Sequence, residues 1–206
     1  VCTKYNIHLI VDEIAVGFGR TGTMFAFEQS KITPDIICLS KGITGGYMTL
    51  SSILTTEEIY SAFYDEYIKL NAFLHSHSYT ANPIACTAAC ASLDLFKKLD
   101  ALKNNLKLSN YIQNRMSHLA DHPNIAEIRQ KGMITAIEMV KDKKKRTPYN
   151  WKERRGIRAY LYGLKNNVLI RPLGNVIYFM PPYIITLKEI DKVVDVITGA
   201  VNEATK

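Results

Sequence analysis

The sequence predicts an α/β protein whose later part becomes an α+β unit, and three observations carry that prediction. Short apolar runs rich in β-branched residues, Ile7 to Val11, Ile36 to Leu39 and Leu50 to Leu54, are separated by Gly- and Pro-containing turns, the pattern of buried strands in a sheet covered on both faces. Helical periodicity takes over at Pro83, and after Pro123 short strands and helices alternate, which describes helices covering a small sheet. The 206 residues are 47% hydrophobic and 22% charged, the balance of a globular chain rather than a disordered one or a disulfide scaffold.

After the third apolar run, Asn82-Pro83 opens a helix to about Lys98, with Asn82 as cap and Pro83 at the first helical position. A second helical stretch, polar on one face, reaches about Ala120. Strands then run from Ile125 to Arg129 and from Met133 to Val140, followed by a helix from about Trp151 to Asn166. Two short strands, Val168 to Arg171 and Val176 to Phe179, precede a last helix from Leu187 to about Ala204. We place the boundary between the two parts near residue 98. No stretch approaches the roughly 18–20 apolar residues of a membrane span.

The formal net charge is +7, with a basic run at Lys141-Asp142-Lys143-Lys144-Lys145-Arg146. Its position between an apolar strand and Thr147-Pro148 suggests an exposed strand-to-helix loop. No interleaved aromatics, zinc spacing or recognition helix accompanies it, so it reads as a solvated loop and not a nucleic-acid patch. The cysteines Cys2, Cys38, Cys86 and Cys90 form no CxxC pair, and Cys86 with Cys90 offers only two soft ligands to a metal. Buried, reduced thiols and a cytoplasmic location are the expectation. Residue 1 is Val, and an apolar run follows almost at once without a signal-peptide layout, so the sequence reads as though it begins in mid-domain.

Catalytic groups in such sheets sit just past the carboxyl ends of strands, and the informative residues lie there. Gly17-x-Gly19-x-x-Gly22 matches a dinucleotide fingerprint by spacing. An Asp12-Glu13 pair precedes it, however, and no long amphipathic helix follows, so it lacks the context that fingerprint requires. A carboxylate at the end of a buried strand needs a cation, and the pyridinium of pyridoxal phosphate is such a cation. Lys41 ends the next apolar strand among Gly42, Gly45 and Gly46, which clear space around it. A partly desolvated lysine there becomes a Schiff-base nucleophile.

Asp12-Glu13-Ile14 with Gly17-Phe18-Gly19-Arg20-Thr21-Gly22, then Pro34-Asp35-Ile36, then Ser40-Lys41-Gly42-Ile43-Thr44-Gly45-Gly46 resemble the class III (subgroup II) pyridoxal-phosphate aminotransferases. The resemblance continues through His75-Ser76-His77-Ser78-Tyr79-Thr80-Ala81-Asn82-Pro83 to Arg171-Pro172-Leu173-Gly174-Asn175-Val176-Ile177-Tyr178-Phe179-Met180-Pro181-Pro182-Tyr183, covering essentially the whole chain. It implies the fold type I of PLP-dependent transferases, with residues 1–98 as the C-terminal part of the cofactor-binding large domain and 99–206 as the C-terminal small domain.

The resemblance also implies roles. Lys41 is the catalytic residue that binds pyridoxal 5'-phosphate and then moves the substrate proton. Asp12 pairs with the ring nitrogen, and His77 and Ser78 join them in holding the cofactor. Ser78 keeps a hydroxyl for the phosphate, and Thr80 is the alternative donor. Ser76 lies beside the substrate where the family often has Gly, and Ala81 falls where it usually has Gly. Arg171, otherwise a surface salt-bridge residue, clamps a substrate carboxylate by its planar fork, with Tyr178 near the same pocket. Arg20 braces the loop after Asp12.

The segment from Arg171 to Tyr183 is most similar to members that transfer the amino group of S-adenosylmethionine to 8-amino-7-oxononanoate, giving 7,8-diaminononanoate in biotin synthesis. A homodimer with shared active sites, and neither nucleic acid nor membrane as partner, completes what the resemblance implies. Family motifs expected upstream of Asp12 have no room in this sequence, so it reads as the later half of a longer enzyme, inactive alone. The alternatives are another class III enzyme of ω-amino-acid or ornithine type, or a non-catalytic remnant acting as a binding protein.

Overall fold

The structure is a computed structural model that describes all 206 residues. It contains two compact units, Val1–Leu102 and Lys103–Lys206, and no helix long and apolar enough to cross a membrane.

In the first unit, β1 (Ile10–Asp12), β2 (Ile36–Leu39) and β3 (Ser52–Thr55) form a sheet in that order, β1 parallel and β3 antiparallel to β2. The first strand starts at Ile10 rather than Ile7: the carbonyl of Leu9 accepts from Asp35 and Ile36, and its N–H donates to the Asp35 carboxylate, a crossover tie in place of a ladder. The third strand starts two residues after Leu50, because Leu50 packs inward and its carbonyl accepts the Ser40 hydroxyl.

Strand residues alternate between faces. One face meets a small core of Phe18, Leu39, Ile43 and Ala89, joined by Ile37, Phe25 and Phe96. The other bears Ile10 and Ile53, which are 59% and 67% exposed. The expected burial on both faces therefore holds on one face only, since no element of this unit lies over the second.

Helix α1 (Glu57–Ser61) and the exposed segment after it lead to α2 (Pro83–Lys98). The Asn82 side chain accepts from the N–H groups of Ile84 and Ala85 and so caps α2, with Pro83 at its first turn. Ala85 and Ala89, one turn apart, are its buried residues, and Ala89 joins the core with Ile43. Cys86 and Cys90 lie one position round the helix and are exposed, while Cys2 and Cys38 are half-buried. The expected buried thiols are corrected accordingly: all four cysteines are free, and none is buried.

Helix α3 (Ala101–Met116) begins in the last two residues of the first unit and runs on as the first helix of the second, which builds an antiparallel sheet, β4 (Ile125–Lys131), β5 (Ile134–Asp142), β8 (Val176–Phe179) and β7 (Arg171–Leu173), in that order. Helices α4 (Arg155–Lys165) and α5 (Leu187–Thr205) pack together on its core. Along α5, Ile190, Val194, Ile197, Val201 and Ala204 recur at helical spacing and are buried. Burying each larger aliphatic side chain is worth about 1.5–3 kcal/mol. Thr186 and Glu189 close a reciprocal capping box at its start.

The strand expected at Val168 begins at Arg171, and Pro172 lies within it, which an edge strand tolerates. The basic run is a strand-to-strand turn: Lys141 and Asp142 end β5, and β6 (Thr147–Pro148) folds back on β5. Its charges are partly engaged, Arg146 with Glu127 at 2.6 Å and the Lys143 ammonium with the carbonyls of Ala120 and His122.

Candidate active site

Asp12 ends β1 in register with Cys38, and Lys41 follows the end of the parallel strand β2 by two residues. The first unit thus brings both to one edge of its sheet. Asp12 is exposed, and its Oδ1 accepts only the N–H of Ile14, at 2.9 Å. The buried carboxylate is its neighbour Glu13, 2% exposed, whose two oxygens accept the N–H groups of Ala26 and Phe27 at 2.9 and 2.8 Å. Period-2 alternation explains the exchange: of two adjacent carboxylates only one points to the covered face. Burial therefore demands no cation at Asp12. What favours one is an exposed carboxylate with an oxygen to spare.

Lys41 stands at φ 45°, in the left-handed region, after the fully extended Ser40. For a residue with a side chain this conformation costs about 1–2 kcal/mol, and such strain collects at functional sites. The turn is clamped on both sides, the Ser40 hydroxyl donating to Leu50 at 2.7 Å and the Thr44 hydroxyl to Met48 at 2.6 Å. The Lys41 side chain is exposed and makes no hydrogen bond or ion pair. The glycines around it do not simply clear space. Gly45 and Gly46 supply φ values of 61° and 85°, while Gly42 lies against the ring of Phe18, where a Cβ would meet Cδ2 at 2.9 Å.

Ser76, His77 and Ser78 are exposed on the turn that enters α2. Within that turn His77 donates its N–H to the Thr80 hydroxyl at 3.0 Å, and its ring Nδ1 accepts from Tyr79 at 3.1 Å. The Ser78 hydroxyl makes no hydrogen bond. Ala81 adopts φ 56°, the left-handed conformation that favours glycine. Because α2 packs on the turn of residues 41–44, this segment and the Lys41 turn share a support.

Arg171 belongs to the second unit. It pairs across the strands with Tyr178, and Tyr178 pairs with Ala136, which faces Arg129. One row on the sheet face thus carries an arginine at each end, and the two differ. Arg129 bonds Glu127, and Glu138 at 2.7 Å. These contacts raise the pKa of the guanidinium, Glu138 most, and Arg129 followed by Arg146 holds the Glu127 carboxyl below its ordinary value. The Arg171 side chain is exposed, makes no hydrogen bond or ion pair, and lines a cleft of about 440 Å³ with Ile170, Tyr178, Met180 and Pro182. The salt-bridge role is absent.

Glu13 and Phe18 are the site-forming residues that motif reading missed. The only signal in the sequence was the doublet of carboxylates before a glycine turn.

The profile of the aminotransferase class-III family matches residues 1–201. The chain is 45% identical over 208 residues to the adenosylmethionine-8-amino-7-oxononanoate aminotransferase of Geobacter sulfurreducens, covering all of this chain and 45% of that protein. It is 46% identical over 210 residues to the enzyme of the same name from Helicobacter pylori, again covering all of this chain and 46% of that protein. Among solved structures, the Methanocaldococcus jannaschii aminotransferase of that name superposes with a TM-score of 0.94 at 37% identity, over 98% of this chain and 47% of that one. The ω-transaminase of Pseudomonas jessenii in complex with PMP gives 0.93 at 29% identity, over 99% and 45%. The chain spans about half the length of the curated relatives it matches.

Proposed function

Because the chain belongs to the class-III aminotransferase family, we propose that it is the lysine-bearing part of a pyridoxal 5'-phosphate enzyme moving the amino group of S-adenosylmethionine to 8-amino-7-oxononanoate. The observation that carries this reading is the delivery of an exposed carboxylate, Asp12, and an unpaired amine, Lys41, to one edge of a parallel strand pair. The relatives' shared name supplies the substrates.

Pyridoxal phosphate, when bound, supplies an aldehyde for amines and an electron sink for the substrate's Cα. The residues present fit it. Asp12 has an oxygen to spare for a protonated ring nitrogen, and Lys41 has no competing anion. The Ser78 hydroxyl makes no hydrogen bond and can donate to a phosphate; that of Thr80 accepts the His77 N–H and so shapes the turn while keeping its own proton, and the family match of Ser78 makes it the phosphate ligand, with Thr80 as its positioning residue. His77, locked by its own turn, borders the cofactor, and Ser76 borders the substrate.

With the cofactor bound, Lys41 would be the residue that holds it covalently, and its amine, once freed, would take the proton from the donor's Cα and return it on the cofactor side. Asp12 keeps the ring nitrogen protonated. Arg171 binds the carboxylate of 8-amino-7-oxononanoate through two parallel hydrogen bonds, which fixes its orientation. The exposed segment bearing Tyr64, Tyr67, Leu70 and Leu74 is where a second copy docks, giving a homodimer with shared sites. Free thiols throughout fit a cytoplasmic setting.

A donor panel tests the reading. In the whole enzyme that carries this part, formation of 7,8-diaminononanoate from S-adenosylmethionine and 8-amino-7-oxononanoate is expected; turnover with ornithine or β-alanine alone would assign it to the ω-transaminase branch. Loss of bound cofactor in Ser78→Ala should exceed that in Thr80→Ala.

A further inference from the structure

Two loops far apart in sequence, the glycine turn after Asp12 and the turn that carries Lys41, are joined by one side chain. Phe18 is 3% exposed yet stands at φ 56°, an outlying conformation for a bulky residue. Its ring lies on the backbone of Gly42, the residue directly after Lys41, so closely that a Cβ there would meet Phe18 Cδ2 at 2.9 Å, Cβ at 3.0 Å and Cγ at 3.2 Å. Gly42 has no positive φ to require a glycine; the ring requires it.

Phe18 is held in turn. It meets Phe25 edge to face, with ring centroids 5.7 Å apart. The two residues after Phe25, Ala26 and Phe27, give their N–H groups to the buried Glu13 carboxylate. Glu13 adjoins Asp12, and its carbonyl accepts from Gly17 at 2.9 Å. A continuous set of contacts therefore leads from the neighbour of Asp12, through Phe25 and Phe18, to the neighbour of Lys41. Ordinary core packing requires burial of a phenyl ring at this place. It does not require left-handed backbone at both Phe18 and Lys41, and that coincidence marks a turn pressed into shape.

We propose that Phe18 is a positioning residue for Lys41: its ring, wedged on Gly42, fixes the left-handed turn that presents the Lys41 amine at a set distance from Asp12. The proposal rests on the reading of Lys41 as the cofactor-binding lysine.

The test uses the cofactor-loaded whole enzyme that carries this part, with Gly42→Ala, Phe18→Leu, Phe18→Ala and the Phe18→Ala/Gly42→Ala double variant. Three quantities are measured: the melting temperature, the pH midpoint of the bound cofactor's visible absorbance, and the single-turnover rate with the amino donor. Gly42→Ala, which adds one methyl under the ring, should slow the single turnover by about 100-fold and displace the pH midpoint, and Phe18→Leu should slow it by about tenfold, as expected when a reacting group is misplaced by around 1 Å. The double variant should lose far less than the product of the two single losses, because both changes act on one contact.

If the Phe18→Ala proteins do not fold, Gly42→Ala and Phe18→Leu decide. Melting temperatures that fall while the pH midpoint stays fixed and the rate stays within about twofold would overturn the proposal, as would fully multiplicative losses. Lys41→Ala is the separate control: if it still retains cofactor that borohydride fixes covalently, the reading of Lys41 itself fails, whatever Phe18 does.

Discussion

The two units differ in the size of their cores and in what their key cations face. The second unit has an extensive core around Ile112, Ile137, Ile177 and Ile190, and several of its arginines are paired: Arg115 with Asp191, Arg129 with Glu127 and Glu138, Arg155 with Glu153. The first unit has a small core around Phe18 and Leu39, strained turns at Phe18, Lys41 and Ala81, and Lys41 without a partner. What singles out Lys41 is the conjunction of a free amine, a left-handed turn and the strand end it shares with Asp12. Within the second unit the same contrast recurs on one row of the sheet, where Arg129 is doubly paired and Arg171 is not.

The largest expected effect is on stability. Ile190→Ala, in the fully buried face of α5, should cost about 2–5 kcal/mol by denaturant unfolding. Ile53→Thr, on the open face of the first unit's sheet, should stay within about 0.5 kcal/mol. Equal costs would erase the distinction between the units.

Next in size is the pair of arginines. Arg171→Ala should raise the KM for the keto acid by about 10–100-fold, the equivalent of a charged hydrogen-bonded contact worth roughly 1.5–3 kcal/mol, and leave the melting temperature unchanged. Arg129→Ala should do the reverse, leaving KM unchanged and weakening the fold by at most about 1 kcal/mol, as expected for exposed ion pairs. Ala81→Gly should stabilise the protein by roughly 0.5–1 kcal/mol, because glycine relieves the left-handed strain at some cost in unfolded-chain entropy.

The smallest effect is an acid one. The Asp191 carboxyl is held below its ordinary value by the Tyr111 hydroxyl and then by Arg115, and Glu127 is held down by Arg129 and Arg146. Each folded-state pKa lies below its unfolded one. Their contribution is therefore complete above about pH 5 and lost as the pH falls through the folded values. The melting temperature should drop in that window, and Asp191→Asn should flatten part of the drop.

Much of this arrangement was legible in the sequence because it is local. The Asn82 cap with Pro83 behind it and the last helix from Leu187 to about Ala204 depend on neighbours within a few residues, and helix α2 runs from Pro83 to Lys98 as its signals indicate. What was not legible depends on phase or on distant partners. An uninterrupted apolar strand does not reveal which of Asp12 and Glu13 points inward. Gly42 looks like any other glycine of its loop until Phe18, 24 positions earlier, is seen lying on it. Arg129 and Arg171 are equally plausible anion ligands until the carboxylates around each are known, and the basic run becomes a strand-to-strand turn only through β6.

The most direct test of the Asp12–Lys41 site is covalent capture. The protein is incubated with pyridoxal 5'-phosphate, reduced with borohydride, digested and mapped by mass. A phosphopyridoxyl group on the Lys41 peptide, absent in Lys41→Ala and diminished in Asp12→Asn, is the expected result. Label spread over other lysines, or undiminished in Lys41→Ala, would contradict it.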